Sequence, residues 1–265
     1  MSNDSSWKKE IPHPAFPKMD DNVRLWRYTD MAKFVWTLSN SSLYLCRADL
    51  LGDSFEGSVP FRDHNRMVKI LADVSGDYDI NLSPEELERQ MAPQIRRMRE
   101  TFIRSSYVNC WRHGDESEAM WKLYCGPTDG IALVTNYGQL VESITDQATR
   151  LAKVSYLDYG SDMLPGHDWL SPIMHKRKAF EHEQEVRLIR WKMEDTVKLR
   201  ESDPDFEPQS GFNMRWDIET TIDSIVVSPY APEWYLNVVQ DLTRQYAPSI
   251  SKNVQWSELR SDPVY

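Results

Sequence analysis

The stretch FEHEQEVRLIRW, residues 180–191, sets glutamates at alternate positions, Glu181, Glu183 and Glu185, and then turns apolar. Alternation with a period of two is the signature of a strand, and it puts Glu183, Glu185 and Arg187 on one face. Side chains two apart on a face stand about 6–7 Å from one another, so the two carboxylates repel unless a cation joins them. Arg187 continues the same face and can be that cation. Most Glu-x-Glu pairs are solvated strand edges. Here the acids lead straight into Val186, Arg187, Leu188 and Ile189, which belong inside a sheet, so they are read as lining a cleft.

Outward from this strand, VRLWRY (23–28) alternates as a short strand. TDMAKFVWTLSN (29–40) puts Met31, Phe34, Val35 and Leu38 at helical spacing, and SLYLCR (42–47) is a second strand. The strongest local signal is at Ser83: Ser83 as N-cap, Pro84 at N1 and Glu86 at N3 make a capping box. Leu87, Met91, Ile95, Met98 and Phe102 then follow at steps of three and four, and Pro93 predicts a kink. SYVNCW (106–111) reads as a strand. Asp115 is read as the cap of a short helix stopped by Gly126 and Pro127. GIALVT (130–135), AKVSYLDY (152–159), QEVRLIRW (184–191) and IDSIVVS (222–228) read as strands, and a last helix runs from Pro232 to Pro248. Residues 195–215 read as a long loop, a place where function or a protein partner is expected. Strands that follow one another without intervening helices predict an α+β domain over residues 23–265, with a mixed, mostly antiparallel sheet and flanking helices. An extended, proline-rich arm over 1–22 precedes it.

The 265 residues carry a formal net charge of −10. That balance argues against non-specific binding to a nucleic-acid backbone, but it leaves a local basic groove open. The basic cluster Arg96, Arg97, Arg99 and Arg104 is read as a solvated helix face. Three cysteines without metal-ligand spacing give neither a disulfide framework nor a zinc site, and point to reduced thiols in a cytoplasmic protein. The polar start is not a signal peptide, and no apolar run is long enough to span a membrane. Neither G-x-G-x-x-G nor G-x-x-x-x-G-K occurs, the G-x-S-x-G elbow is missing, and Glu181-His182-Glu183 lacks the second histidine of H-E-x-x-H. Cys110 with His113 is a weaker nucleophile candidate than a buried structural thiol.

Several pieces in order resemble the bacterial and phage domain-of-unknown-function family 2971. They are LWRYTD (25–30), LYLCRADLLGDSFEGSV (43–59), YVNCWRHGDESEAMWKLYCGPTDGIALVTN (107–136), VSYLDY (154–159) and KAFEHEQEVRLI (178–189). The same order is similar, more distantly, to ADP-ribosyltransferases of the arginine–serine–glutamate type. In those enzymes a first strand carries an arginine that contacts NAD, a middle strand is rich in small polar residues, and a late strand opens with Glu-x-Glu. The resemblance implies an ADP-ribosyltransferase-like fold with NAD as cofactor or substrate. It implies Glu185 as the carboxylate facing the oxocarbenium-like ribose and Glu183 as the group that orients or deprotonates the acceptor. Arg27 and Tyr28 stand on the first strand, with Arg27 expected to hold the NAD pyrophosphate or ribose. Ser106 or Asn109 stands in for the missing serine motif, and Tyr107, Trp111 or Tyr124 is expected to stack on nicotinamide. Arg112 replaces the serine usual in the uncharacterised family, and Gly52 and Ser54 replace its asparagine and proline. The resemblance further implies transfer to a protein, nucleic-acid or small acceptor, or hydrolysis of NAD, in phage–host conflict. The rivals are a non-catalytic binding module on the same scaffold and a metal-dependent hydrolase or nuclease using Asp53, Glu56, Glu183 and Glu185.

Overall fold

A computed structural model of the chain describes residues 18–75, 83–165, 170–201 and 205–261. The arm expected over 1–22 lies outside the described residues up to position 17. The elements in chain order are β1 (Arg24–Asp30), α1 (Met31–Asn40), β2 (Ser42–Arg47), α2 (Phe61–Ser75), α3 (Pro84–Arg104), β3 (Ser106–His113), α4 (Glu118–Tyr124), β4 (Gly130–Asn136), α5 (Tyr137–Glu142), β5 (Thr149–Lys153), β6 (Ser155–Leu157), β7 (His175–Arg177), β8 (Glu185–Trp191), α6 (Met193–Glu201), β9 (Gly211–Arg215), α7 (Ile218–Thr221), β10 (Ser224–Val227), α8 (Glu233–Tyr246) and β11 (Val254–Trp256).

Local chemistry fixes several boundaries. Asp30 ends β1 and caps α1, accepting from the Lys33 N–H at 2.8 Å. The capping box at the start of α3 forms as the sequence predicts: the Ser83 side chain accepts from Glu86 N–H and the Glu86 carboxylate accepts from Ser83 N–H. The helix runs on through Pro93 to Arg104. The expected cap at Asp115 is corrected: α4 begins after Ser117, whose N–H donates to the Tyr28 hydroxyl at 2.9 Å.

Among the described residues the main sheet has nine strands and is mixed but mostly antiparallel, with β10 and β11 its parallel pair. Its organising feature is a fork at β3. One edge of β3 pairs with β8 over Ser106–Arg112, and β5 lies beyond β8. The other edge is shared. β1 meets it only at Leu25 and Trp26, and β2 meets it only at Cys46 and Arg47. β1 then continues along β4, β10 and β11, while β2 continues along β9. A backbone carbonyl at such a fork has no ladder partner and must find one elsewhere. The Arg27 guanidinium donates to Cys110 O at 2.9 Å, and the Asn109 amide donates to Tyr44 O at 2.9 Å.

The sheet has two different faces. On one, Leu25, Trp111, Leu133, Leu188 and Ile225 join Phe34 of α1, Leu140 of α5 and Val239 of α8 in one continuous apolar core. On the other, two smaller clusters stand apart: Val108, Ile189, Ala152 and Phe102 under α3, and Trp26, Ala132, Val134 and Val226 under α4. Polar side chains fill the gap between them.

Two expectations along the chain are corrected. The strand expected over 152–159 is two: β5 belongs to the main sheet, whereas β6 pairs with β7 in a separate parallel ribbon. The expected loop over 195–215 holds most of α6 and all of β9. Hydrophobic periodicity misses α6 because its buried contacts are polar. Asp195 accepts from the Tyr107 hydroxyl at 2.6 Å, and Thr196 accepts from Trp191 Nε1 at 2.8 Å.

Candidate functional site

Strand alternation decides what enters the gap between the two small clusters. Cys110 lies opposite Arg187, Arg112 opposite Glu185, and Trp26 opposite Arg112. These side chains, with Tyr28, Tyr124, Lys176 and Glu183, line a cleft of about 110 Å³. Glu183 is not in the strand. It ends a 3₁₀ turn over Lys178–Glu183, and Gln184 follows in the left-handed region at φ 42° before β8 begins at Glu185. The left-handed kink, not strand alternation, brings the two carboxylates together.

A cation joins them, but it is Lys176 of β7. Its Nζ lies 2.5 Å from Glu183 Oε2 and 3.1 Å from Glu185 Oε2. Arg187, with 0% of its surface exposed, forks onto Glu185 through Nε and Nη2 at 3.1 Å each. Its Nη1 and Nη2 meet Glu56 at 2.6 and 3.1 Å, and Nη1 also donates to Ile173 O at 2.5 Å. Glu56 arrives from the loop after β2. That loop turns at Gly57, whose φ of 66° suits glycine and where a Cβ would collide with the Ile103 side chain. Arg99 of α3 holds the loop by donating to Ser54 O and Glu56 O at 2.9 and 2.7 Å. The Tyr124 hydroxyl donates to Glu183 Oε1 at 2.6 Å, and Glu185 N–H donates to the Tyr156 hydroxyl at 2.8 Å.

The charges set the protonation states. Burial alone would raise the Glu185 carboxyl, but the charges of Arg187 and Lys176 and the hydrogen bonds from Arg187 and Cys110 outweigh it and hold the pKa down at about 2. Burial first, then the neighbouring Glu185 carboxylate, pushes the Cys110 thiol well up, so it is no nucleophile at neutral pH. Burial and the bond to Glu183 likewise keep Tyr124 protonated as a donor.

The expected site residues divide accordingly. Glu183, Glu185, Tyr28 and Tyr124 come together. Arg27 does not join them, because it alternates with Trp26 and Tyr28 and so points to the opposite face, where it serves the fork. Asn109 is on that opposite face too, donating to Tyr44 O and accepting from Trp111 Nε1 at 2.8 Å. Trp111 borders the cleft, but its indole belongs to the large core, edge-on to Trp216. Tyr107 is buried against α6. Ser106 is fully buried at the other end of β3, where its hydroxyl donates to Phe102 O at 2.9 Å. Six residues of strand put it about 20 Å from the level of Arg112 and Glu185. Sequence reasoning did not reach Lys176, Arg112 or Trp26 as members of the cleft, nor Tyr156 as the acceptor behind Glu185. Among the described residues Arg112 has no carboxylate partner: one guanidinium nitrogen donates to Asp115 O, while its Nε is buried without a hydrogen-bond partner.

The acids considered for a metal are each engaged by a cation. Asp53 meets Arg177 at 3.1 Å, Glu56 meets Arg187, and Glu183 and Glu185 share Lys176. Among the described residues no group of three or more potential ligands could hold a metal ion. Among them, too, no helix is long and apolar enough to cross a membrane. No protein-family description, curated protein or solved structure matches the chain.

Proposed function

We propose that this cleft binds the nicotinamide–ribose part of NAD and cleaves the bond between them, as an ADP-ribosyltransferase or NAD glycohydrolase does. The observation that carries the reading is Glu185. It is an ionised carboxylate at the mouth of a strand, walled by Trp26, Tyr28 and Tyr124, with the Arg112 guanidinium on the facing strand. NAD has a cationic ring and an anionic pyrophosphate, and the cleft offers a partner for each. As the C–N bond breaks, its electron pair returns to the ring nitrogen and nicotinamide leaves neutral. The positive charge left on the ribose is stabilised by Glu185. Arg112 holds the pyrophosphate in the place expected for Arg27, since its spare N–H donors suit phosphate. Glu183, oriented by Tyr124 and Lys176, takes the proton of the attacking water or acceptor.

A non-catalytic binding module is favoured by a different observation: both Glu185 oxygens are already taken by Arg187 and Lys176. In that reading the network is a cross-tie and the cleft only binds. Nicotinamide release from NAD, with Arg112→Ala as the comparison, separates the two. Release that depends on Arg112 supports the enzyme. An Arg112-dependent thermal shift with NAD and no release supports the module.

A further inference from the structure

Of the basic cluster on α3, Arg99 holds the Glu56 loop, whereas Arg96, Arg97 and Arg104, together with Arg89, form one wall of a groove of about 760 Å³ between α3 and α6, lined also by Glu100 and Phe206. Arg89 and Arg96, and Arg97 and Arg104, are each seven residues apart, so they form two adjacent rows on one broad side of the helix. From Arg89 to Arg104 they extend about 22 Å. Two of the four are committed. Arg104 pairs with Glu207, which also meets the buried Arg47 at 2.6 Å, and Arg97 donates to Arg200 O at 3.2 Å. Arg89 and Arg96 are exposed, with no partner among the described residues. With the Arg104–Glu207 pair set aside, the lining leaves three arginines against Glu100 in a chain of net charge −10.

We infer that this groove binds single-stranded nucleic acid. Every cation lining it is arginine, whose planar fork matches phosphate oxygens two at a time. Phe206, half-buried in the lining, carries Lys198 Nζ over one face of its ring, 4.8 Å from the centre, so a base would stack on the other face. The site is concave, whereas reading a duplex takes an element that projects into its groove. The net charge of −10 opposes contact away from the arginines, so a segment of roughly four nucleotides fills the groove. The inference does not depend on the Glu185 cleft, which lies towards the other end of β3.

The test is fluorescence anisotropy of a short fluorescein-labelled oligothymidylate with the whole chain, at about 50 mM and about 200 mM salt. The expected result is binding that weakens with salt, with a slope of log affinity near −2 for about three phosphates. Arg89→Ala/Arg96→Ala lies outside the salt-bridge ties, so it should keep the melting temperature and weaken binding about tenfold or more. Glu100→Gln, which removes a repulsive charge, should tighten binding. Absence of binding, or binding indifferent to the double variant, would overturn the inference. Displacement of the probe by poly-glutamate as readily as by unlabelled oligothymidylate would also overturn it, and would assign the groove to acidic peptides. Displacement by inorganic phosphate at similar concentration would reduce it to a simple anion site.

Discussion

Arg187 and Leu188 are adjacent on β8, and both have 0% of their surface exposed. Leu188 enters the continuous apolar core beneath α1, α5 and α8. Arg187 enters the opposite face, where it holds Glu185, Glu56 and the Ile173 carbonyl. One face is closed mainly by apolar contact, with Arg27 and Asn109 serving backbone carbonyls at the fork. The other is closed by an ion network that fastens the loop after β2, β7 and β8 to one another. A buried network of this kind is a weak source of net stability and is strongly punished when one member is removed. An apolar filling would close the gap more simply, so the network is where the proposed chemistry is to be tested.

The comparison breaks first at Arg187. Arg187→Met should cost about 3–5 kcal/mol in urea unfolding, because it strands two buried carboxylates. Leu188→Ala should cost about 2–5 kcal/mol through its cavity. A near-neutral Arg187→Met would mean that the network is not holding the second face.

Glu185→Gln comes next, at about 2–3 kcal/mol. Considered as a strand-mouth acid alone, Glu185 would be a clean target for a chemical test. Its bonds to Arg187 and Lys176 make its replacement a stability mutation as well. The pH dependence sharpens this point. The carboxyl has an ordinary value of 4.5 and is held at about 2 in the fold. A group depressed by folding contributes stability above its unfolded value, and that contribution is lost as pH falls from about 4.5 towards about 2. Acid titration of the melting temperature should show this loss in the wild type and a shallower one in Glu185→Gln. Equal acid limbs would contradict the depressed carboxyl.

The smallest stability effect is expected at Tyr124→Phe, about 1 kcal/mol for one hydrogen bond. Its effect on nicotinamide release should be larger than its effect on melting, since the hydroxyl orients Glu183. A variant as active as the wild type would remove Tyr124 from the site.

Much of the fold is legible because its signals are local. The Ser83–Glu86 box and the apolar run after Glu185 each declare themselves within a few residues. The fork is not legible, since it depends on where two strands leave a third. The same limit governs the site. In LWRY, alternation fixes that Arg27 opposes Trp26 and Tyr28, but not which set faces the glutamates. Only pairing with β3 shows that the aromatic pair does, and that Arg112 is the cation across from Glu185. Lys176 carries no pattern of its own. It reaches Glu183 and Glu185 because β7 pairs with β6 and returns through a 3₁₀ turn. α6 is hidden because Asp195 and Thr196 bury polar contacts where periodicity looks for apolar ones.

The most direct test of the central claim is nicotinamide release from NAD by the purified chain, beside Arg112→Ala, with both proteins verified as folded by their melting temperatures. The account predicts release by the wild type and a loss of about tenfold or more in Arg112→Ala at an unchanged melting temperature, the size expected for a charge-assisted phosphate contact. Absence of release together with no thermal shift on adding NAD, or release that is indifferent to Arg112, would contradict it.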